Sequence, residues 1–333
     1  MTDGKARRLV PEVERLLGGT DKERLKYLGD DHWIGYPMAL GILSEMAELL
    51  AANEVRRPRN MLVVANTNNG KTTVIDRLKA LHPDVTDPDS DGVQMPVVKL
   101  NAPQSPDEDR FYNHILESLG AIYKIRAPKD AKFFQICRLL RDVGMKVLIF
   151  DEINNSLAGN MIQRQQMFNA IKSLSNELQR PIILTGTFEA LVAVREDKQM
   201  QNRFPPSILP VWELDSTFLQ LLASFESLMP LKQRSNLASE VLAPLLLAMC
   251  GGLIGELCEL LKRAGKRAIT SGRERISARL LLELDWVPPD QRDRQASAAE
   301  QGLSYRINYK EMVQRVQADE AEAQDEWDDD DAD

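Results

Sequence analysis

The sequence predicts an α/β fold: a five-stranded parallel sheet flanked by helices, followed by a small all-helical domain. Three observations predict it. Short apolar runs alternate with amphipathic stretches over residues 39–214, the pattern of a parallel sheet covered on both faces. A Gly-Lys-Thr triplet, Gly70 to Thr72, stands between the first apolar run and the helix after it. From Asp215 onward no strand pattern remains, and helical periodicity continues alone.

The elements follow in order. "ALGILSEMAELLAA" (39–52) has helical apolar spacing, and "RNMLVVAN" (59–66) is a short apolar run suited to a buried strand. The helix "KTTVIDRLKAL" (71–81) follows, and "HPDVTDPDSDGVQMP" (82–96), dense in Pro, Asp and Gly, reads as a surface connection. "VVKLNAP" is the second strand, two helical stretches over 107–120 and 130–144 come next, and "MKVLIFDE" is the third strand. In the helix after it, Met167, Ile171, Leu174 and Leu178 make one apolar stripe. "RPIILTGT" and "SILPVWEL" complete the five strands.

These runs divide the chain into an N-terminal helical extension (1–38), the sheet-bearing core (39–214), the helical domain (215–289) and a loose polar extension (290–333). With 333 residues, 43% hydrophobic and 28% charged, the composition is that of a globular protein with a sizeable core. The N-terminus has no apolar signal-like region, and no run of about 18 apolar residues occurs, so a cytosolic location is expected. Cys137, Cys250 and Cys258, with His32, His82 and His114, are too few and too scattered for a disulfide framework or a zinc site.

The formal charge of -8 misrepresents the body of the protein. The last fifteen residues hold ten acidic groups, leaving 42 basic against 40 acidic residues elsewhere. Such a tail reads as a disordered, solubilising end.

The chemistry concentrates at the strand ends. A phosphate-binding loop needs inward backbone N–H groups, a lysine for the outer phosphates and a hydroxyl for magnesium. Asn66, Thr67, Asn68, Asn69, Gly70, Lys71, Thr72 and Thr73 supply the loop and the helix start, with Ala65 where the first glycine of such a motif is expected. Asp151 and Glu152 end a different apolar strand, Asp151 placed to hold the metal with Thr72 and Glu152 to activate water. Thr185 and Thr187 end the fourth strand near the expected γ-phosphate. Arg203, in "NRFPP", is placed as a finger for a neighbouring subunit's nucleotide. Lys124, Arg126, Lys129 and Lys132 gather between two helices, and phosphate contacts from such a cluster give DNA affinity without sequence choice.

Taken together, "ANTNNGKTT", "LIFDEINNSLAGN", "ILTGT", "NRF" and "GGLIGELCELLKRAGKRAI" resemble the AAA+ ATPases of the TniB/TnsC type, the target-selection regulators of bacterial transposons, some of them CRISPR-associated. The likeness runs from about Asp30 to Pro289. It implies a P-loop AAA+ core with a helical lid, ATP and Mg2+ as cofactors, and ATP hydrolysis, which this chain's departures from the family pattern are expected to slow. It implies self-assembly as a ring or filament on double-stranded DNA, between a DDE-type transposase and a TniQ-like target-selection protein or CRISPR effector. It also places Ile34, Tyr36 and Pro37 near the nucleotide base. Two departures stand out: Ala65 replaces a glycine, and no arginine occurs near Gly255 and Glu256, where many lids carry one. Another AAA+ remodeller or helicase loader, and a STAND-like signalling NTPase, remain alternative readings of the same residues.

Overall fold

The computed structural model describes residues 8–86, 92–301 and 304–318. The acidic tail read from the sequence lies outside them. The chain forms two compact units, one from Pro37 to Pro210 and the other from the residues up to Tyr36 together with those from Val211 on. The segment expected as an N-terminal extension is therefore part of the helical unit.

That unit begins with α1 (Pro11–Leu17) and α2 (Asp21–Gly29). Thr20 caps α2 in a reciprocal box with Glu23, which satisfies two otherwise orphaned N–H groups.

In the core, α3 (Pro37–Ala51) leads to β1 (Met61–Ala65), and α4 (Lys71–Leu81) follows the loop. The expected surface connection carries a small antiparallel ribbon, β2 (Val85–Thr86) paired with β3 (Val93–Gln94). Then come β4 (Val97–Asn101), α5 (Glu108–Ser118), α6 (Lys129–Asp142), β5 (Val147–Asp151), α7 (Asn154–Leu157) and α8 (Met161–Leu178). The core closes with β6 (Ile182–Gly186), α9 (Phe188–Glu196), α10 (Lys198–Arg203) and β7 (Pro206–Leu209).

The five long strands form one sheet in the order β4-β5-β6-β1-β7, every pairing parallel. Each residue of β1, β5 and β6 is buried, which is why these strands read as unbroken apolar runs; the edge strands β4 and β7 are only partly buried. The α8 stripe Met167, Ile171, Leu174 and Leu178 packs into this core with Phe111, Ile136 and Phe150. Parallel strands place all their C-terminal ends on one edge of the sheet, so the loops after β1, β5 and β6 open together there.

The helical unit resumes with α11 (Ser216–Leu228), α12 (Leu242–Cys250), α13 (Ile254–Thr270) and α14 (Ala278–Leu282). Two buried charged side chains are held from within it, with the Arg24 Nε left unpartnered among the described residues. Arg24 donates to both Glu274 oxygens at 2.7 and 2.8 Å, to Asp21 at 2.6 Å and to the Pro230 carbonyl at 3.0 Å. Glu226 accepts from the backbone N–H groups of Ser235, Asn236 and Leu237 at 2.8 to 3.0 Å. Gly252, with φ +70°, lets the chain pass Trp212; a Cβ there would stand 2.6 Å from the Trp212 carbonyl oxygen.

Residues after Pro289, expected as a loose extension, are tied to this unit through residue 318. A 3-10 turn at Pro289–Gln291 runs into α15 (Arg292–Glu300). Arg292 forks onto Glu256, and the Tyr309 hydroxyl donates to the Trp286 carbonyl at 2.5 Å. Among the described residues no single helix is long and apolar enough to cross a membrane.

Candidate nucleotide-binding site

Ala65 is the last residue of β1, paired with Leu209, and its φ is not positive. The missing glycine thus costs nothing in backbone strain, because a Cβ is acceptable wherever φ is negative. The left-handed turns that the loop needs come later, at Asn68 (φ +60°) and Gly70 (φ +86°). Asparagine tolerates that region better than most side chains, and glycine without penalty. Asn69 is buried and anchors the loop by donating to the Leu209 and Pro210 carbonyls at 3.1 and 2.8 Å.

Gly70 is the N-cap of α4 and gives no side-chain cap, so the first-turn N–H groups face the loop's cradle. Lys71, only 6% exposed, donates to the Ala65 and Asn66 carbonyls at 2.9 Å each. Burial pulls its pKa below the usual lysine value, an effect opposed by the nearby Glu152 and Asp151 charges.

Asp151 ends β5 as a buried carboxylate with both oxygens engaged. Thr72 donates to its Oδ2 at 3.1 Å, while Thr185 and the Glu152 N–H donate to its Oδ1, the latter at 3.1 Å. Glu152 itself is exposed and held at φ +60°, a left-handed conformation worth ~1–2 kcal/mol of strain in a non-glycine residue. Strain of this kind concentrates where geometry serves chemistry.

The donor set fits a hard cation that keeps part of its shell as water and phosphate. Among the described residues no three His, Cys, Asp or Glu side chains gather as a self-sufficient metal cage. One hydroxyl and one carboxylate on facing elements, Thr72 and Asp151, are what magnesium with a nucleotide requires.

Elsewhere the structure redistributes roles. Thr185 is fully buried, and its hydroxyl donates to Asp151. Thr187 stands at the N-cap position of α9 without capping it, its hydroxyl donating to Glu189. Arg203 ends α10 and donates to Asn176 at 2.9 Å. Ile34 is half-buried and Pro37 exposed, whereas Tyr36 is buried edge-on against Trp212, with burial pushing its hydroxyl up to about 12.

The basic cluster splits in two. Lys132 is 1% exposed and is committed to Asp109 at 2.7 Å and to the Ile125 carbonyl at 2.6 Å, which removes it from any DNA surface. Lys129 pairs with Glu108 at 2.8 Å. Lys124 and Arg126 remain exposed on the loop these pairs support, flanked by exposed Ile122 and Ile125.

The sequence reading missed Lys99 and Asp76. Lys99 of β4 donates to Asp76 at 2.6 Å and stands 3.7 Å from Asp151 Oδ2. The available signal was a lysine inside an apolar strand, "VVKL", which demands a partner.

A parallel sheet with this strand order, a glycine-lysine-threonine loop after β1 and an acidic pair after β5 defines a P-loop core of the AAA+ type with a helical companion unit. The profile of the family described as Bacterial TniB protein matches residues 24–214, more than half of the chain, and the chain belongs to that family. No curated protein matches it. Among solved structures it is similar to the ORC2 protein of Aeropyrum pernix described as ADPNP-ADP complexes, at 16% identity and TM-score 0.54, covering 88% of this chain and 83% of that one. CDC6P of Pyrobaculum aerophilum matches at 15% identity and TM-score 0.54, covering 90% and 89%. The ADP form of the same ORC2 matches at 17% and 0.51, covering 88% and 82%. At such identities the likeness concerns the fold.

Proposed function

We propose that this protein is an ATP- and magnesium-dependent regulator of DNA transposition that assembles on duplex DNA. In this reading it links a TniQ-like target-selection protein, in some systems with a CRISPR effector, to a DDE-type transposase in the bacterial cytoplasm. The observation that carries the reading is the convergence of Lys71, Thr72, Asp151 and Glu152 at one edge of the sheet in a TniB-family chain. Adenine nucleotides in the Aeropyrum ORC2 complexes agree with the choice of ATP.

Magnesium, for which Thr72 and Asp151 are the available donors, would supply positive charge against the phosphates. Lys71, now on the Ala65 and Asn66 carbonyls, would bind the phosphates, and the Thr72 hydroxyl, now on Asp151, would help hold the metal. Asp151, oriented by Thr185, would hold the metal through its carboxylate. Glu152, aimed by its left-handed backbone, accepts the proton of the attacking water. Arg203, released from Asn176, approaches the nucleotide of a neighbouring copy. Lys124 and Arg126 make phosphate contacts indifferent to sequence.

Mass photometry of the full chain tests this with a non-hydrolysable ATP analogue and duplex DNA of two lengths. Growth of the assembly with DNA length, dependent on the analogue, is expected. A particle size that ignores DNA would overturn the DNA reading and favour the signalling NTPase.

A further inference from the structure

Lys99 is the one charged residue of β4, a strand otherwise of Val97, Val98, Leu100 and Asn101. Alternation along a strand puts Val97, Lys99 and Asn101 on one face, and the Asn101↔Asp151 pairing sets that face beside the site. A lysine only 19% exposed must be matched by an acid. Asp76, one helical turn beyond Thr72 on the same face of α4, does so at 2.6 Å. The same ammonium lies 3.7 Å from Asp151 Oδ2, the oxygen that also accepts from Thr72. Lys99 therefore occupies the charge position that a divalent cation beside Thr72 and Asp151 would claim.

We infer that Lys99 is a built-in counter-cation for Asp151, shared with Asp76, that keeps the site from taking a divalent metal until nucleotide phosphates come with it. The inference rests on the reading of Thr72 and Asp151 as the metal-holding pair. Lys99 is a positioning residue: it touches neither the nucleotide nor the metal and acts through Asp151. Two like charges a few ångströms apart repel strongly where solvent is scarce. Metal entry then requires the ammonium to move fully onto Asp76, and phosphate oxygens supply the negative charge that offsets its remaining repulsion. The arrangement couples metal loading to nucleotide loading without a further conformational element.

The two partners of Lys99 predict opposite effects, which a merely structural ion pair does not. Binding of Mn2+ to the full chain is measured by the loss of the free-ion electron paramagnetic resonance signal, first without nucleotide and then with ADP. Without nucleotide, Lys99→Met should tighten Mn2+ binding by about tenfold, the scale on which neighbours of metal ligands act. Asp76→Asn should weaken it by a similar factor, because Lys99 is then left to Asp151 alone. Lys99→Arg should stay near wild type, and the double variant Lys99→Met/Asp76→Asn should follow Lys99→Met while removing both charges of the pair together. With ADP present the differences should shrink.

Variants that shift together in one direction, or that leave Asp151-dependent Mn2+ binding unchanged, would overturn the inference while leaving the nucleotide site intact. Mn2+ binding unaffected by Asp151→Asn would instead overturn the metal-holding pair and the inference with it. Thermal melts followed by circular dichroism identify any variant that fails to fold, for which the double variant supplies the reading.

Discussion

The helical unit and the loop-bearing edge of the core use buried charge in opposite ways. In the helical unit, Arg24 with Glu274, and Glu226 with three backbone N–H groups, are paired within the fold, the Arg24 Nε excepted. In the core, Lys71 rests on two carbonyls, Asp151 is shared between hydroxyls and a lysine, and Glu152 stands exposed on a strained backbone. Closed pairs hold a fold, whereas groups held by exchangeable partners can be handed to a ligand. The contrast separates positions where mutation should cost stability from those where it should cost chemistry.

The sharpest break in that contrast is Glu152→Gln. On the proposed reading it lowers ATP turnover by about a thousandfold, within the usual contribution of a general base, while ATP affinity holds. A coupled phosphate-release assay with isothermal titration checks both, and unchanged turnover would remove Glu152 as the base.

Next in size is Glu274→Ala, which leaves the buried Arg24 with only the exposed Asp21 carboxylate and the Pro230 carbonyl. Stability of the helical unit should fall by about 3 kcal/mol, read by denaturant unfolding, with no change in nucleotide affinity. The same pair has a pH signature. Arg24 holds the Glu274 carboxyl below its ordinary value of 4.5, so its contribution is full above that value. It is lost as pH falls further, through the depressed value. The acid end of the melting profile should flatten in Glu274→Gln, and an unaltered profile would count against the pair.

Lys71→Ala should weaken ATP-analogue binding by about a hundredfold and move the melting temperature little, because its partners are carbonyls that water can serve. Retained affinity would place the nucleotide elsewhere. A smaller effect sharpens the comparison from the other side: Glu152→Gly should stabilise the core by ~1 kcal/mol by relieving the left-handed strain, at the expense of turnover. The least effect is expected from Lys124→Ala with Arg126→Ala. The slope of log affinity against log salt for duplex DNA should drop by about two, and an unchanged slope would move the DNA surface away from this loop.

Much of the core was legible because its physics is local or repetitive. Strands buried on both faces must be apolar throughout, so "MLVVA", "VLIFD" and "IILTG" announce themselves. The loop and the acidic pair sit at the ends of such runs, and the structure brings Thr72 and Asp151 within hydrogen-bond reach. What escaped depends on partners distant in sequence. Lys132 reads as a surface base until Asp109, one helix earlier, is seen to claim it. The contact of the Thr185 hydroxyl with Asp151, 34 residues away, leaves no mark in the sequence. The ribbon of Val85 and Thr86 with Val93 and Gln94 is too short to leave a pattern. The ties of Arg292 to Glu256 and Tyr309 to Trp286 join a polar segment to a fold it does not resemble in composition.

Ala65, with which the loop begins, is a rung of the sheet rather than part of the loop's flexible arc. The loop is therefore hung like a door, with its hinge side hydrogen-bonded into the most protected strands of the core and its far side at the left-handed turns of Asn68 and Gly70. In hydrogen-exchange terms, protection should persist through β1 to the strand's last residues and drop within the few residues that follow. Whatever rearrangement a bound phosphate imposes should be confined to those residues, and the sheet beneath should not register it.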